Sequence, residues 1–366
     1  MRVLQIGASS VKGGVESFLI NYNKELKKYG IIFDYVSEEG SLAYEEEIIE
    51  LKGKIYKGLD RRNPITYFMK LFKVTKKYNI VHINMLSAAN ILPLLACKIN
   101  GVSKVIVHSH NAGTEKWYRY VLHYINKWMI ALVATDYWTC SDLAARWMYP
   151  RYIYKKEKCL YVKNAIRYDK YKFKKECRDR IRKELQIDDE TIVIGNVGRV
   201  TKQKNIFFLL NVIKILSEKK HNILFLHVGA YDFGYREVID RQIKHLGIGK
   251  YVLFIGEISN ANEYYSAFDV FCMPSLYEGL SFTAIEAQCS GVKCLFSNTM
   301  SKETDFTCKS LFLPIDNCSV WVDNIIKKPI NRLDSAYIKL KLLKSGFDIT
   351  HESKRLASMY KTERNE

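Results

Sequence analysis

Short β-type runs alternate with helix-length amphipathic stretches along nearly the whole chain, and no other feature restricts the possible folds as much. The runs fall at 2–8, 31–36, 80–85, 104–110 and 137–141. After a basic, proline-free stretch at 167–183 they resume at 191–200, 223–230, 252–257, 270–275 and 293–297. A strand that reaches its neighbour through a helix lies parallel to it, so the pattern predicts parallel sheets flanked by helices. Runs such as Ile192-Val193-Ile194 and Leu224-Phe225-Leu226 are apolar on both faces, as strands covered by helices on both sides must be. The restart predicts two α/β domains in tandem, and 366 residues is a length that two cores can share. In such sheets ligands bind beyond the carboxyl ends of the strands, so the loops after each run hold the chemistry.

Composition narrows the partners. The net charge of +18 is concentrated in residues 1–180, which carry 32 basic and 17 acidic residues. That asymmetry points to an anionic surface such as phospholipid headgroups. Nucleic acid is disfavoured, because no recognisable binding module is present and the phosphate-type loops suit a small nucleotide. The nine cysteines are scattered with no CxxC pair, which predicts reduced thiols, a cytoplasmic protein and no metal cluster. No signal peptide precedes the first run, and the longest apolar stretches, 91–97 and 128–134, are far below the ~20 residues that span a bilayer.

Four loops carry candidate chemistry. The first run ends in Gly7-Ala8-Ser9-Ser10-Val11-Lys12-Gly13-Gly14, where Gly13 and Gly14 at a helix mouth let backbone N–H groups approach a phosphate or sugar. The spacing matches neither the dinucleotide fingerprint nor the P-loop. The run at 104–110 finishes in His108-Ser109-His110, two imidazoles on one side of a strand end that can bond a sugar hydroxyl or manage a proton near neutrality. Gly198-Arg199-Val200-Thr201-Lys202-Gln203-Lys204-Asn205 opens the second domain's first helix, where Arg199 and Lys204 can converge on a diphosphate. As loop cations they are expected to contribute little to the core. The segment from Met273 to Ala287 contains Glu278-Gly279-Leu280-Ser281 and, inside the following helix, Glu286; Glu278 is placed to meet a sugar and Glu286 ribose hydroxyls.

Taken in order, the Gly-Gly loop, the strand-end histidine, Asn164-Ala165-Ile166, the Gly-Arg…Lys-Asn loop and the Glu-x7-Glu segment resemble the retaining glycosyltransferase family with the GT-B fold. This is the group 1 type that builds bacterial capsular and exopolysaccharide glycans. The resemblance covers nearly the whole chain. It implies two Rossmann-like domains facing a cleft: an acceptor-binding domain at 1–165, a nucleotide-sugar-binding domain at 166–340, and a C-terminal helix at 341–366 returning to the first.

It also implies that a UDP-sugar is the donor, bound without a metal, and that a lipid-linked or oligosaccharide acceptor receives the sugar with retention. His110, Arg199, Lys204 and Glu278 would be catalytic. Gly13, Gly14, Gly198, Asn205, Gly279, Leu280, Ser281 and Glu286 would complete the donor site. Asn164-Ala165-Ile166 lacks the family's usual glycine, and Ser281 replaces another. A GT-B sugar-nucleotide epimerase or a non-catalytic sugar-nucleotide-binding subunit would share the same motifs. Residues 60–79, with Ile65, Phe68, Met69 and Phe72 among Arg61, Arg62, Lys70, Lys73, Lys76 and Lys77, predict a basic amphipathic helix for the inner leaflet of an anionic membrane.

Overall fold

The computed structural model describes residues 1–113, 117–155, 158–327 and 331–362. The chain forms two units, Met1–Ala165 with Asp348–Glu366, and Ile166–Phe347. In the first, β1 (Arg2–Ile6), β2 (Ile32–Val36), β3 (Ile55–Tyr56), β4 (Ile80–Met85), β5 (Lys104–Ser109), β6 (Asp136–Thr139) and β7 (Cys159–Tyr161) form one sheet. All its pairings are parallel and its order is β3-β2-β1-β4-β5-β6-β7. In the second, β8 (Ile192–Val197), β9 (Ile223–Val228), β10 (Val252–Phe254), β11 (Val270–Met273), β12 (Lys293–Ser297) and β13 (Leu311–Leu313) form a parallel sheet ordered β10-β9-β8-β11-β12-β13. The chain is thus two Rossmann-like α/β units. Each sheet reverses its winding once, between β1 and β4 and between β8 and β11, which are the positions where such sheets bind ligands.

Several predicted runs extend past the strands that form. Those at 191–200 and 223–230 stop at Val197 and Val228 because glycine turns the chain away from the ladder: Gly198 has φ 141° and Gly229 φ 149°. A Cβ on Gly229 would collide with the carbonyl of Gly198, so the two turns pack backbone against backbone. The strands β3, β7 and β13 have two or three residues each, too few for a periodic signal.

The core of the second unit is built on the helix Ile206–Glu218, whose Leu209, Leu210, Val212, Ile213 and Leu216 are fully buried against β8, β9 and Trp321. Each such side chain contributes roughly 1.5–3 kcal/mol. In the first unit the helix Ile349–Lys361, capped by Asp348 on the amides of Thr350 and His351, packs against the helix Gly14–Leu26. It buries Tyr360, whose hydroxyl lies 2.6 Å from Nδ1 of His82 on β4. Near the C-terminus two helices form, Ser335–Lys344 and Ile349–Lys361.

Candidate active site

The two motif loops of the second unit leave neighbouring strands at the switch point, β8 and β11, and are laced together there. The amide of Leu276 donates to Gln203 O (2.8 Å), Gln203 Nε2 to Tyr277 O (2.9 Å) and Asn205 Nδ2 to Pro274 O (3.2 Å). Asn205 reaches its acceptor from a left-handed backbone, φ 53°, which asparagine tolerates better than most residues. This lacing brings two of the candidate site residues together: Lys204 Nζ lies 2.6 Å from Glu278 Oε1. Their side chains are only 18% and 11% exposed, so this pair is largely withdrawn from water. Gly198 supports it from behind, since its Cβ position faces the Lys204 stem at 3.5 Å.

Glu286 stands in the helix Phe282–Cys289 and accepts from the Tyr265 hydroxyl at 2.7 Å. Burial lifts its carboxyl above the ordinary range, and hydrogen bonds from Tyr265 and Tyr171 act in the opposite direction. Gly279, Leu280 and Ser281, just before this helix, are buried, with Ser281 Oγ 3.1 Å from Thr283 Oγ1. Arg199 is exposed and is drawn into no ion pair among the described residues. Its side chain is therefore not held in place by a partner as that of Lys204 is.

Sequence reasoning missed the groups that hold these loops from beneath. Asn196, the one amide in the strand IVIGNV, donates through Nδ2 to Cys272 O at 2.7 Å and so bridges β8 and β11. That carbonyl can only accept, so Oδ1 of Asn196 must face His227, whose Nδ1 lies 3.0 Å away and carries the proton. Burial drives the His227 pKa down to about 3, so the ring is neutral.

The same logic orients the histidine of the first unit. His110 follows β5 and its Nε2 is 2.9 Å from Asn84 Oδ1 at the β1/β4 switch point. Asn84 Nδ2 donates to the Ile6 carbonyl (3.2 Å) and to Gln5 Oε1 (3.0 Å), which fixes the amide's orientation. His110 therefore carries its proton on Nε2 and keeps Nδ1 as a lone-pair acceptor. Burial holds its pKa near 3, so it is neutral at physiological pH. His108 does lie on the same side, with ring centroids 3.9 Å apart, but it is fully buried against Phe18, His82 and Trp138.

The Gly-Gly loop is tied down by acidic side chains. Glu16 accepts from the amide and hydroxyl of Ser9, both at 2.8 Å, and Glu39 accepts from Ser10. Gly13 is extended, and a Cβ there would press on Glu16 Oε2 at 2.8 Å; around Gly14 there is open space. The helix Gly14–Leu26 starts without a side-chain cap.

Residues 177–306, spanning β8 to β12 with both laced loops, match the family described as Glycosyl transferases group 1. The match lies wholly within the second unit and covers most of it. Over its full length the chain is similar to EpsF of Bacillus subtilis (strain 168), with 27% identity covering 98% of this chain and 96% of that one. It is similar also to the Escherichia coli UDP-Gal:alpha-D-GlcNAc-diphosphoundecaprenol alpha-1,3-galactosyltransferase, with 27% identity over 63% of this chain and 61% of that protein. Among solved structures, Anabaena HepE in complex with UDP and glucose superposes with a TM-score of 0.82 at 14% identity, over 99% of each chain. The two units therefore share the GT-B fold class with HepE. Among the described residues, no group of three or more His, Cys, Asp or Glu could hold a metal ion.

Proposed function

We propose that the chain transfers a sugar from a UDP-sugar to a lipid-linked or oligosaccharide acceptor, with retention, in the assembly of a bacterial capsule or exopolysaccharide. The observation that carries this reading is the Lys204–Glu278 pair at the β8/β11 switch point, inside the segment that matches the group 1 family. Lys204 and Arg199 take the donor diphosphate, Glu278 the donor sugar and Glu286 the ribose. Gly279, Leu280 and Ser281, at the mouth of the helix Phe282–Cys289, complete the donor site. His110, with its Nδ1 lone pair, takes a hydroxyl of the reacting sugars. Gly14 offers an open backbone for a ligand.

In the reaction the bond from the sugar's anomeric carbon to the diphosphate oxygen breaks and a bond to the acceptor oxygen forms. The acceptor's proton passes to the departing UDP. Negative charge grows on the diphosphate as the sugar takes on oxocarbenium character, and Lys204 and Arg199 are the cations placed to stabilise it. The HepE complex with UDP and glucose supports the choice of uridine donor, and the diphosphoundecaprenol acceptor in the E. coli relative's name supports a lipid-linked acceptor.

The test is a thermal-shift screen against UDP-, GDP-, ADP- and dTDP-sugars, followed by transfer assays with the donor that stabilises. A bound donor at 100 times its Kd stabilises by about 2.7 kcal/mol. Stabilisation by a UDP-sugar with transfer to a polyprenyl diphosphate sugar supports the reading. Product formation without any acceptor assigns an epimerase instead, and donor binding without turnover a non-catalytic subunit.

A further inference from the structure

The helix Trp117–Val133 is apolar on the wrong side. Its inner face is fully accounted for: His123, Ile130 and Val133 are buried, and His123 accepts from the Ala88 amide at 3.0 Å while its Nε2 lies 2.9 Å from Trp147 O. The opposite stripe is Trp117, Val121, Tyr124, Ile125, Trp128 and Leu132, at helical spacing of three and four. Trp117 is 77% exposed, Ile125 65%, Trp128 59% and Leu132 67%. An ordinary surface helix carries polar residues there. At ~200 Å² for a large side chain the stripe exposes on the order of 600 Å² of mostly apolar surface, at or beyond the largest patches of typical monomers.

The charge around the stripe identifies what would cover it. The helix contains no Asp or Glu, and it contains Arg119 and Lys127. Residues 117–155 hold five basic and two acidic side chains, with Arg146, Arg151 and Lys155 exposed and Tyr152 stacked on Trp128 at 6.1 Å. The helix packs beside Leu92–Ile99, where Lys98 and Ile99 are exposed, and that helix packs beside Pro64–Thr75, which exposes Lys70 and Lys73 and is followed by exposed Lys76 and Lys77. A second copy of this chain would bring the same positive charge to the contact. An anionic bilayer offers apolar depth for the stripe, an interface that favours Trp and Tyr, and headgroups for the cations.

We propose that the outer face of Trp117–Val133 is a membrane-docking surface, lying in the plane of an anionic bilayer at the boundary of headgroups and acyl chains. Its buried inner face keeps it from crossing, and no described helix is long and apolar enough to do so. The helix Pro64–Thr75, expected from sequence to be the attachment site, has a smaller part. Its Tyr67, Leu71 and Val74 are core, Phe68 and Phe72 are half-buried, and it adds Ile65, Met69 and charge.

The inference does not depend on the glycosyl-transfer reading. The full chain is mixed with vesicles of phosphatidylglycerol and phosphatidylcholine, or phosphatidylcholine alone. Binding is read by sedimentation and by tryptophan emission. The parent binds the anionic vesicles with a blue shift. Ile125→Ser/Trp128→Ser weakens binding at least tenfold with an unchanged melting temperature and an unchanged thermal shift by donor. Charge reversal at Lys73 and Lys77 weakens it less, and more at low than at high salt. Two outcomes overturn the proposal: binding by the double serine variant equal to the parent's, or a parent dimer that the same variant dissociates, which assigns the face to a second copy.

Discussion

Replacing Glu278 with glutamine separates two roles that the Lys204–Glu278 pair combines. With side chains 18% and 11% exposed and 2.6 Å between Nζ and Oε1, the pair lies between a surface bridge, worth under about 1 kcal/mol, and a fully buried one, whose breakage costs about 3–5 kcal/mol. A charge-assisted hydrogen bond in this setting contributes about 1.5–3 kcal/mol. Lys204→Met strands the Glu278 carboxylate and destabilises the second unit by about 2–3 kcal/mol; Glu278→Gln costs about 1.5 kcal/mol. The double variant loses less than the sum, leaving a coupling of about 1.5 kcal/mol. Native-state amide exchange in β8, β9 and β11 isolates this unit from the other, which a global melting curve does not. The pair also competes with the donor, because a diphosphate that takes Lys204 must draw it from Glu278. Glu278→Gln therefore tightens UDP binding about tenfold, roughly 1.4 kcal/mol, while sugar transfer falls. Titration calorimetry with UDP measures the first and initial rates the second. A coupling below about 0.5 kcal/mol together with unchanged UDP affinity would refute the reasoning.

Arg199 is exposed, so Arg199→Ala leaves chemical denaturation unchanged while turnover falls about 10- to 10²-fold, roughly 1.5–3 kcal/mol for a lost charged hydrogen bond. Because the His110 lone pair is on Nδ1, His110→Asn, whose amide lies near that position, retains about tenfold more transfer than His110→Gln; the reverse order in initial rates sinks the tautomer assignment. The imidazoles of His82, His108, His110, His123 and His227 are all pushed below their ordinary 6.5 by burial, His110 and His227 to about 3 and His123 to about 4. The unfolded chain binds protons below pH 6.5 that the folded chain refuses. Their contribution is thus intact above pH 6.5 and is lost as pH falls toward 3–4, at up to about 1.4 kcal/mol per pH unit for each ring. Four of the five lie in the first unit, so amide exchange at pH 5.5 shows that unit loosening before the second.

The sequence made legible what is local and periodic. Apolar runs such as Ile192-Val193-Ile194 announce buried parallel strands, and a glycine after such a run announces a turn out of the ladder, because both depend on neighbours a few residues away. What stayed hidden is non-local. Lys204 reads as a loop cation that contributes little to the core, and its partner Glu278 lies 74 positions on; the fold alone turns the lysine into one half of a shielded pair. His82 and Tyr360 are 278 positions apart, and the return of the last helix to the first unit is expected only through the family resemblance, since nothing in either segment shows that it closes over β4. Asn84 and Asn196 are single amides inside strands, indistinguishable in sequence from tolerated polar residues. Their role arises because each sits where the winding reverses, with a carbonyl on one side that can only accept and an imidazole on the other. The backbone fixes the amide, and the amide fixes the proton. The same arrangement recurs in both sheets, at His110 and at His227, so these parallel folds set the tautomer of a buried histidine through the strand pairing itself.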